Sequence, residues 1–89
     1  MFEKYEKTFS IGDASELTGV SQKKLRNWGG KCIPEPERIF CGERAYRRYN
    51  QEHIDLIVGI KKYQDQGFLL SVAAKKASED ISRQELKTE

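Results

Sequence analysis

Eighty-nine residues, about 10.3 kDa, make one domain with a small core, too small for a large enclosed active site. Hydrophobic residues are 37% of the chain and charged residues 34%, against roughly 45–50% and a quarter in ordinary soluble domains. Sixteen Lys+Arg against fourteen Asp+Glu leave a net charge of +2, too slight to name a partner.

Residues 1–8 read as a polar lead-in, with Phe9 the first anchor. Ser10 is placed to cap a helix whose Ile11, Ala14, Leu17 and Thr18 recur at amphipathic spacing, and Asp13 suits its first turn. Gly19 ends it. Ser21 caps a second helix, Gln22 to Trp28, with Leu25 and Trp28 facing inward and Lys23, Lys24, Arg26 and Asn27 outward. Gly29 and Gly30 stop that helix. Pro34 and Pro36 exclude a helix interior and lead into a β-hairpin. Its short runs, Arg38–Phe40 and Ala45–Tyr49, flank a turn at Cys41–Arg44. Asn50 caps a third helix, Gln51 to about Gln66, striped by Ile54, Ile57, Ile60 and Tyr63. Gly67 closes it, and Phe68, Leu69 and Leu70 pack a connecting loop. Ser71 caps a fourth helix, Val72 to about Ser78. The expected organisation is a polar lead-in at 1–8, a domain at 9–80 and a fraying polar tail at 81–89.

The charge is unevenly spread. Met1–Gly19 carries −2, Val20–Asn50 carries +5, and Gln51–Glu89 carries −1. The positive excess falls on the second helix and the hairpin. Two short helices joined by a glycine turn, then a hairpin, then more helix, are the layout of a winged helix-turn-helix: mainly α, about four helices, with a small β-hairpin. A basic surface on that layout points to double-stranded DNA, because each neutralised phosphate releases counterions. The alternative for any charge run is a merely solvated face.

The ordered series Ile11-Gly12-Asp13, Leu17 through Ser21, Leu25-Arg26, the proline-containing wing with Arg47-Arg48-Tyr49, Ile54 to Ile60, and Gly67-Phe68 with Leu70 resembles the MerR, or mercury-resistance-type, regulators over about Phe9 to Ser78. That resemblance implies a bacterial transcription regulator with a winged helix-turn-helix. Such regulators usually form a homodimer through a long C-terminal helix, bind near-palindromic sites, and in many cases distort promoter DNA. The chain departs from the pattern at Asn27 and Trp28, where two tyrosines are common, at His53 in place of an acid, and at Leu69 in place of a polar residue. The usual dimerisation helix and any effector domain are absent from these residues, which suit either a fragment or a minimal stand-alone protein.

The expected DNA-binding residues are Ser21, Lys23, Lys24, Arg26 and Asn27 on the recognition helix, in the major groove. Lysines there can reach phosphates or guanine edges, and Asn27 can pair with an adenine edge. On the wing they are Arg38, Arg44, Arg47, Arg48 and Tyr49. Arg47 is expected on phosphate, and Tyr49 is open between a phosphate contact and a core role with a satisfied hydroxyl. Arg38 reaches the backbone or pairs with Glu37 or Glu43. Lys61, Lys62 and Tyr63 end the third helix, where the resemblance implies a second wing. Trp28 is read as core, and His53 as a capping or helix-surface residue.

Cys32 and Cys41 flank the first strand, could approach each other across the hairpin's base, and are read as free structural thiols. The sequence holds no phosphate-binding glycine loop, nucleophile elbow or metal-ligand spacing, so no enzyme activity, metal or cofactor is expected. No apolar run is long enough to cross a membrane, and the N-terminus lacks a secretion signal's apolar core. A cytoplasmic, nucleoid-associated setting is expected. Two alternatives use the same residues differently. One is a small architectural or excisionase-like DNA-binding protein. The other is a protein-interaction module with Leu56, Val58, Leu69 and Leu70 as its adhesive face.

Overall fold

The computed structural model describes residues 8–87, with side chains through Arg83. Six elements follow in order: α1 Ile11–Thr18, α2 Gln22–Trp28, β1 Glu37–Cys41, β2 Arg44–Arg48, α3 Gln51–Asp65 and α4 Leu70–Lys87. The chain is mainly helical with one two-stranded antiparallel hairpin, a winged helix-turn-helix.

Local chemistry sets most helix ends. Ser10 Oγ accepts the Asp13 N–H at 3.1 Å and Ser21 Oγ accepts the Lys24 N–H at 3.2 Å, each satisfying a donor that a helix start leaves orphaned. Gly19, at φ 78°, donates its N–H to Ser15 O and turns the chain between α1 and α2. Thr18 stabilises the same turn from inside. Its buried hydroxyl donates to Ala14 O at 2.8 Å and accepts from Val20 N–H at 3.2 Å.

The core lies where α1, α2 and the pair α3–α4 meet. Leu25, Tyr49, Ile57 and Ile60 are its largest fully buried side chains, with Trp28, Val20, Ile33 and Ile54 around them. Trp28 is core, as its spacing to Leu25 implies. Small residues let α3 and α4 approach closely: a Cβ on Gly59 would stand 3.0 Å from Ala77 Cβ.

The fourth helix differs from the sequence reading. It starts at Leu70, where Leu69 O accepts the Ala73 N–H at 2.8 Å, and runs without a break to Lys87. Tertiary contacts extend it past Asp80. The Tyr63 hydroxyl donates to Asp80 Oδ2 at 2.5 Å, and Ile81 packs against the core. Residues 81–87 thus continue the helix where the sequence suggested a polar tail; 88–89, like residues 1–7 of the lead-in, lie outside the described residues. Leu56 is also corrected. At 8% exposure it belongs to the core and cannot form an adhesive face with Val58 and Leu69.

The hairpin register pairs Glu37 with Arg48, Arg38 with Arg47, Ile39 with Tyr46, Phe40 with Ala45 and Cys41 with Arg44. Gly42, at φ 66°, opens the two-residue turn, the glycine-first pattern of a type II′ hairpin. Cys41 is therefore exposed at the tip, while Cys32 lies partly buried beside Trp28; both thiols are free and at opposite ends of the hairpin. Burial pushes the Cys32 thiol above its ordinary value, and Lys31 partly offsets that.

Candidate nucleic-acid interface

The α2 helix presents what its spacing implies. Leu25 and Trp28 are buried, while Ser21, Lys23, Lys24, Arg26 and Asn27 are exposed along the other side. Seven residues give a helix too short to stand alone in water. Here Ser21 caps its start, and the Trp28 carbonyl accepts from Lys31, Cys32 and Ile33 at 3.0–3.3 Å, gathering the loop under its end.

The hairpin's base is held from both sides. Phe9 and Tyr49 exchange backbone hydrogen bonds of 2.7 and 2.8 Å. Arg48 donates from Nε to Thr8 Oγ1 and from Nη2 to Thr8 O, both at 3.0 Å. Arg48 is thus committed to fastening the wing. Tyr49 lies wholly inside, and its hydroxyl has no hydrogen-bond partner among the described residues. Of the two roles open to Tyr49, a phosphate contact is excluded by its complete burial, and the core role holds without the expected hydroxyl partner.

His53 is buried at 8% exposure and not on the helix surface. Its Nδ1 accepts the Asn50 N–H at 3.1 Å while Asn50 Oδ1 accepts the His53 N–H at 2.9 Å, a reciprocal capping box. With Nδ1 accepting, the ring proton sits on Nε2, which donates to Pro34 O at 3.1 Å. The ring also meets Tyr49 edge-on at 5.6 Å. One side chain therefore ties the start of α3, the lead-in of the wing and the wing's base.

Arg38 and Arg47 face each other across the strands. The Nη2 of Arg38 meets Glu35 Oε2 at 2.7 Å, an acid outside the pair the sequence offered it. Arg44 is exposed beside the turn. The buried Tyr49 phenol feels the charges on the hairpin and α2. Burial raises its pKa most; Arg47, Arg26 and Arg38 lower it, and Glu35 raises it.

Lys61 turns toward α2. With Lys24 it lines a depression beside the Gly19–Ser21 turn, while its Nζ meets Asp65 Oδ2 at 3.2 Å. Lys62 is exposed. Tyr63 is turned away from that end and into the α3–α4 junction, where Lys76 lies over its ring and that of Phe68. The hydrogen bond to Asp80 pushes its phenol upward.

Thr8, Glu35 and Asp80 escape sequence reasoning. Glu35 alone carried a signal, an acid between Pro34 and Pro36 facing a double glycine. Among the described residues no group of three or more His, Cys, Asp or Glu could hold a metal ion, and no helix is long and apolar enough to cross a membrane.

Comparison with known proteins bears on this surface. The family model described as MerR HTH family regulatory protein matches residues 9–80. The mercuric resistance operon regulatory protein of Bacillus cereus is 38% identical over 64 residues, covering 71% of this chain and 46% of that relative. The chain spans about half the length of the curated relative it matches.

Proposed function

This chain belongs to the MerR helix-turn-helix family of regulatory proteins, and on that footing we propose that it reads duplex DNA sequence-specifically and controls transcription. The α2 helix, Ser21–Trp28, enters the major groove, where Lys23 and Asn27 meet base edges. The hairpin lies along the adjoining backbone, with Arg47 on phosphate. Lys24 and Lys61 extend the phosphate contacts on the other side of the helix turn.

The observation that carries this reading is the exposed side of α2, with Lys23, Lys24, Arg26 and Asn27, together with a hairpin that sets Arg38 opposite Arg47. Recognition helix and wing thereby offer one basic surface, the electrostatic form a phosphate backbone selects. Glu35, paired with Arg38, interrupts it.

Binding to selected and scrambled duplexes across a salt series tests the proposal. Arg47→Ala weakens binding to all sequences alike and lowers the salt slope by about one phosphate's worth. Lys23→Ala or Asn27→Ala instead changes which bases are preferred, a single base contact being worth about 1–3 kcal/mol. Absence of duplex binding at about 50 mM salt overturns the reading.

A further inference from the structure

The hairpin carries an aromatic ring that the core does not use. Phe40 is 75% exposed. Its cross-strand partner is Ala45, whose methyl group is too small to cover it. Strand alternation sets Phe40 on the same face as the facing pair Arg38 and Arg47, two residues nearer the turn. Two residues beyond Arg47 on β2's line, Tyr49 is fully buried. This face therefore grades from core, through two cations, to a bare ring beside Gly42.

We propose that Phe40 is a wedge that enters the minor groove and leans between two base pairs while Arg38 and Arg47 hold the phosphates at the groove's rim. This rests on the duplex-DNA reading above. Two residues of extended strand span about 6.6 Å, close to the minor groove's depth of about 7.5 Å. Cations at the rim thus carry the ring to the groove floor. Apolar side chains inserted in this way unstack a base step and kink the duplex toward the major groove.

Charge selects the occupant. A second copy of this chain seated on the same face would bring Arg38 and Arg47 against their own equivalents, and an apolar peptide would strip water from those cations without replacing it. A polyanion with flat bases satisfies both the ring and the arginines. Pyrimidine–purine steps open most readily, so the wedge favours one of them at its point of entry.

The test uses the full 89-residue chain and a duplex of about 30 base pairs selected from a random pool, with 2-aminopurine placed at successive steps. Wild type raises the fluorescence at one step several-fold. Phe40→Ala abolishes the rise yet binds within about tenfold of wild type, because the phosphate contacts that dominate affinity remain; Phe40→Leu keeps most of it, leucine being a competent wedge. Both variants melt with wild type, since the ring lies outside the core.

Equal fluorescence from Phe40→Ala, or wild-type binding with no step unstacked, overturns the wedge while leaving the DNA reading intact. A chain that binds no duplex overturns both. Sedimentation without DNA closes the remaining route: a wild-type oligomer that Phe40→Ala dissociates assigns the ring to a second copy and overturns the wedge.

Discussion

Glu35 Oε2 lies 2.7 Å from Arg38 Nη2, so an acid already occupies one cation of the basic surface. The neighbouring loop is shaped around it. Glu35 stands between Pro34 and Pro36, and a Cβ on Gly30 would come within 2.7 Å of its Oε1. A phosphate that takes Arg38 must displace this carboxylate. Glu35→Gln is expected to tighten duplex binding several-fold and to steepen the salt dependence by up to about 0.9, one phosphate's worth. In an Arg38→Gln background the same change has no effect on affinity. Both partners are about half exposed, so stability moves by less than about 1 kcal/mol. Anisotropy titrations of the four proteins, with melting curves, check this.

Tyr49→Phe removes a buried hydroxyl without a partner. Such a group contributes a desolvation cost and no hydrogen bond, so the variant is expected to match wild type or gain up to about 1 kcal/mol at pH 8. The pH dependence has a definite sign. Burial raises the phenol's pKa in the folded chain above the ordinary 10.0, so its stabilising share is intact below pH 10 and is lost as the pH rises through the raised value. Tyr63 acts in the same direction through Asp80. Denaturant unfolding at pH 8 and at about pH 11 should therefore show a shallower alkaline loss for Tyr49→Phe than for wild type.

His53→Ala breaks the capping box on α3 and strands the Pro34 carbonyl. The expected loss is about 1–3 kcal/mol, with weaker DNA binding because the wing's lead-in loosens. Glutamine suits the same helix position in capping boxes, so His53→Gln recovers part of the stability and less of the binding. Urea unfolding and duplex titration of the two variants separate the contributions.

Gly59→Ala sets helix propensity against packing. Alanine favours a helix by about 1 kcal/mol over glycine, yet its methyl would stand 3.0 Å from Ala77 Cβ. Packing decides the sign, and a net destabilisation of about 1–2 kcal/mol is expected. Pairing it with Ala77→Gly relieves the clash and recovers part of that loss, a coupling that a double-mutant cycle reads directly.

Features that depend on three or four neighbouring residues were legible in the chain. Ser10, Ser21 and Asn50 cap their helices, and Gly19, Gly42 and Gly67 take positive φ, because caps and tight turns are solved locally. The hairpin itself was legible from its glycine-containing turn, but its register, which puts Cys41 at the tip opposite Arg44, came from the structure. What depends on distant partners was not legible. Arg48 is held by Thr8, forty residues earlier. The length of α4 depends on Tyr63 and the core reaching Asp80 and Ile81. Arg38 has Glu37 and Glu43 nearby in strand and turn, but the proline-fixed loop offers it Glu35. For the site, the exposed side of α2 could be read from periodicity, whereas the separate fates of Arg47, Arg48 and Tyr49, adjacent on one strand, required the residues packed against them.

The bonds from Thr8 and Phe9 to the wing also bear on where this unit may be cut. α1 begins at Ile11, and trimming to its cap at Ser10 would leave every helix whole. It would also delete both backbone bonds to Tyr49 and both anchors of Arg48. Such a shortened chain should keep its helical circular dichroism, while its hairpin amides lose protection from hydrogen exchange. The family match begins at Phe9, one residue too late to include the threonine that fastens the wing.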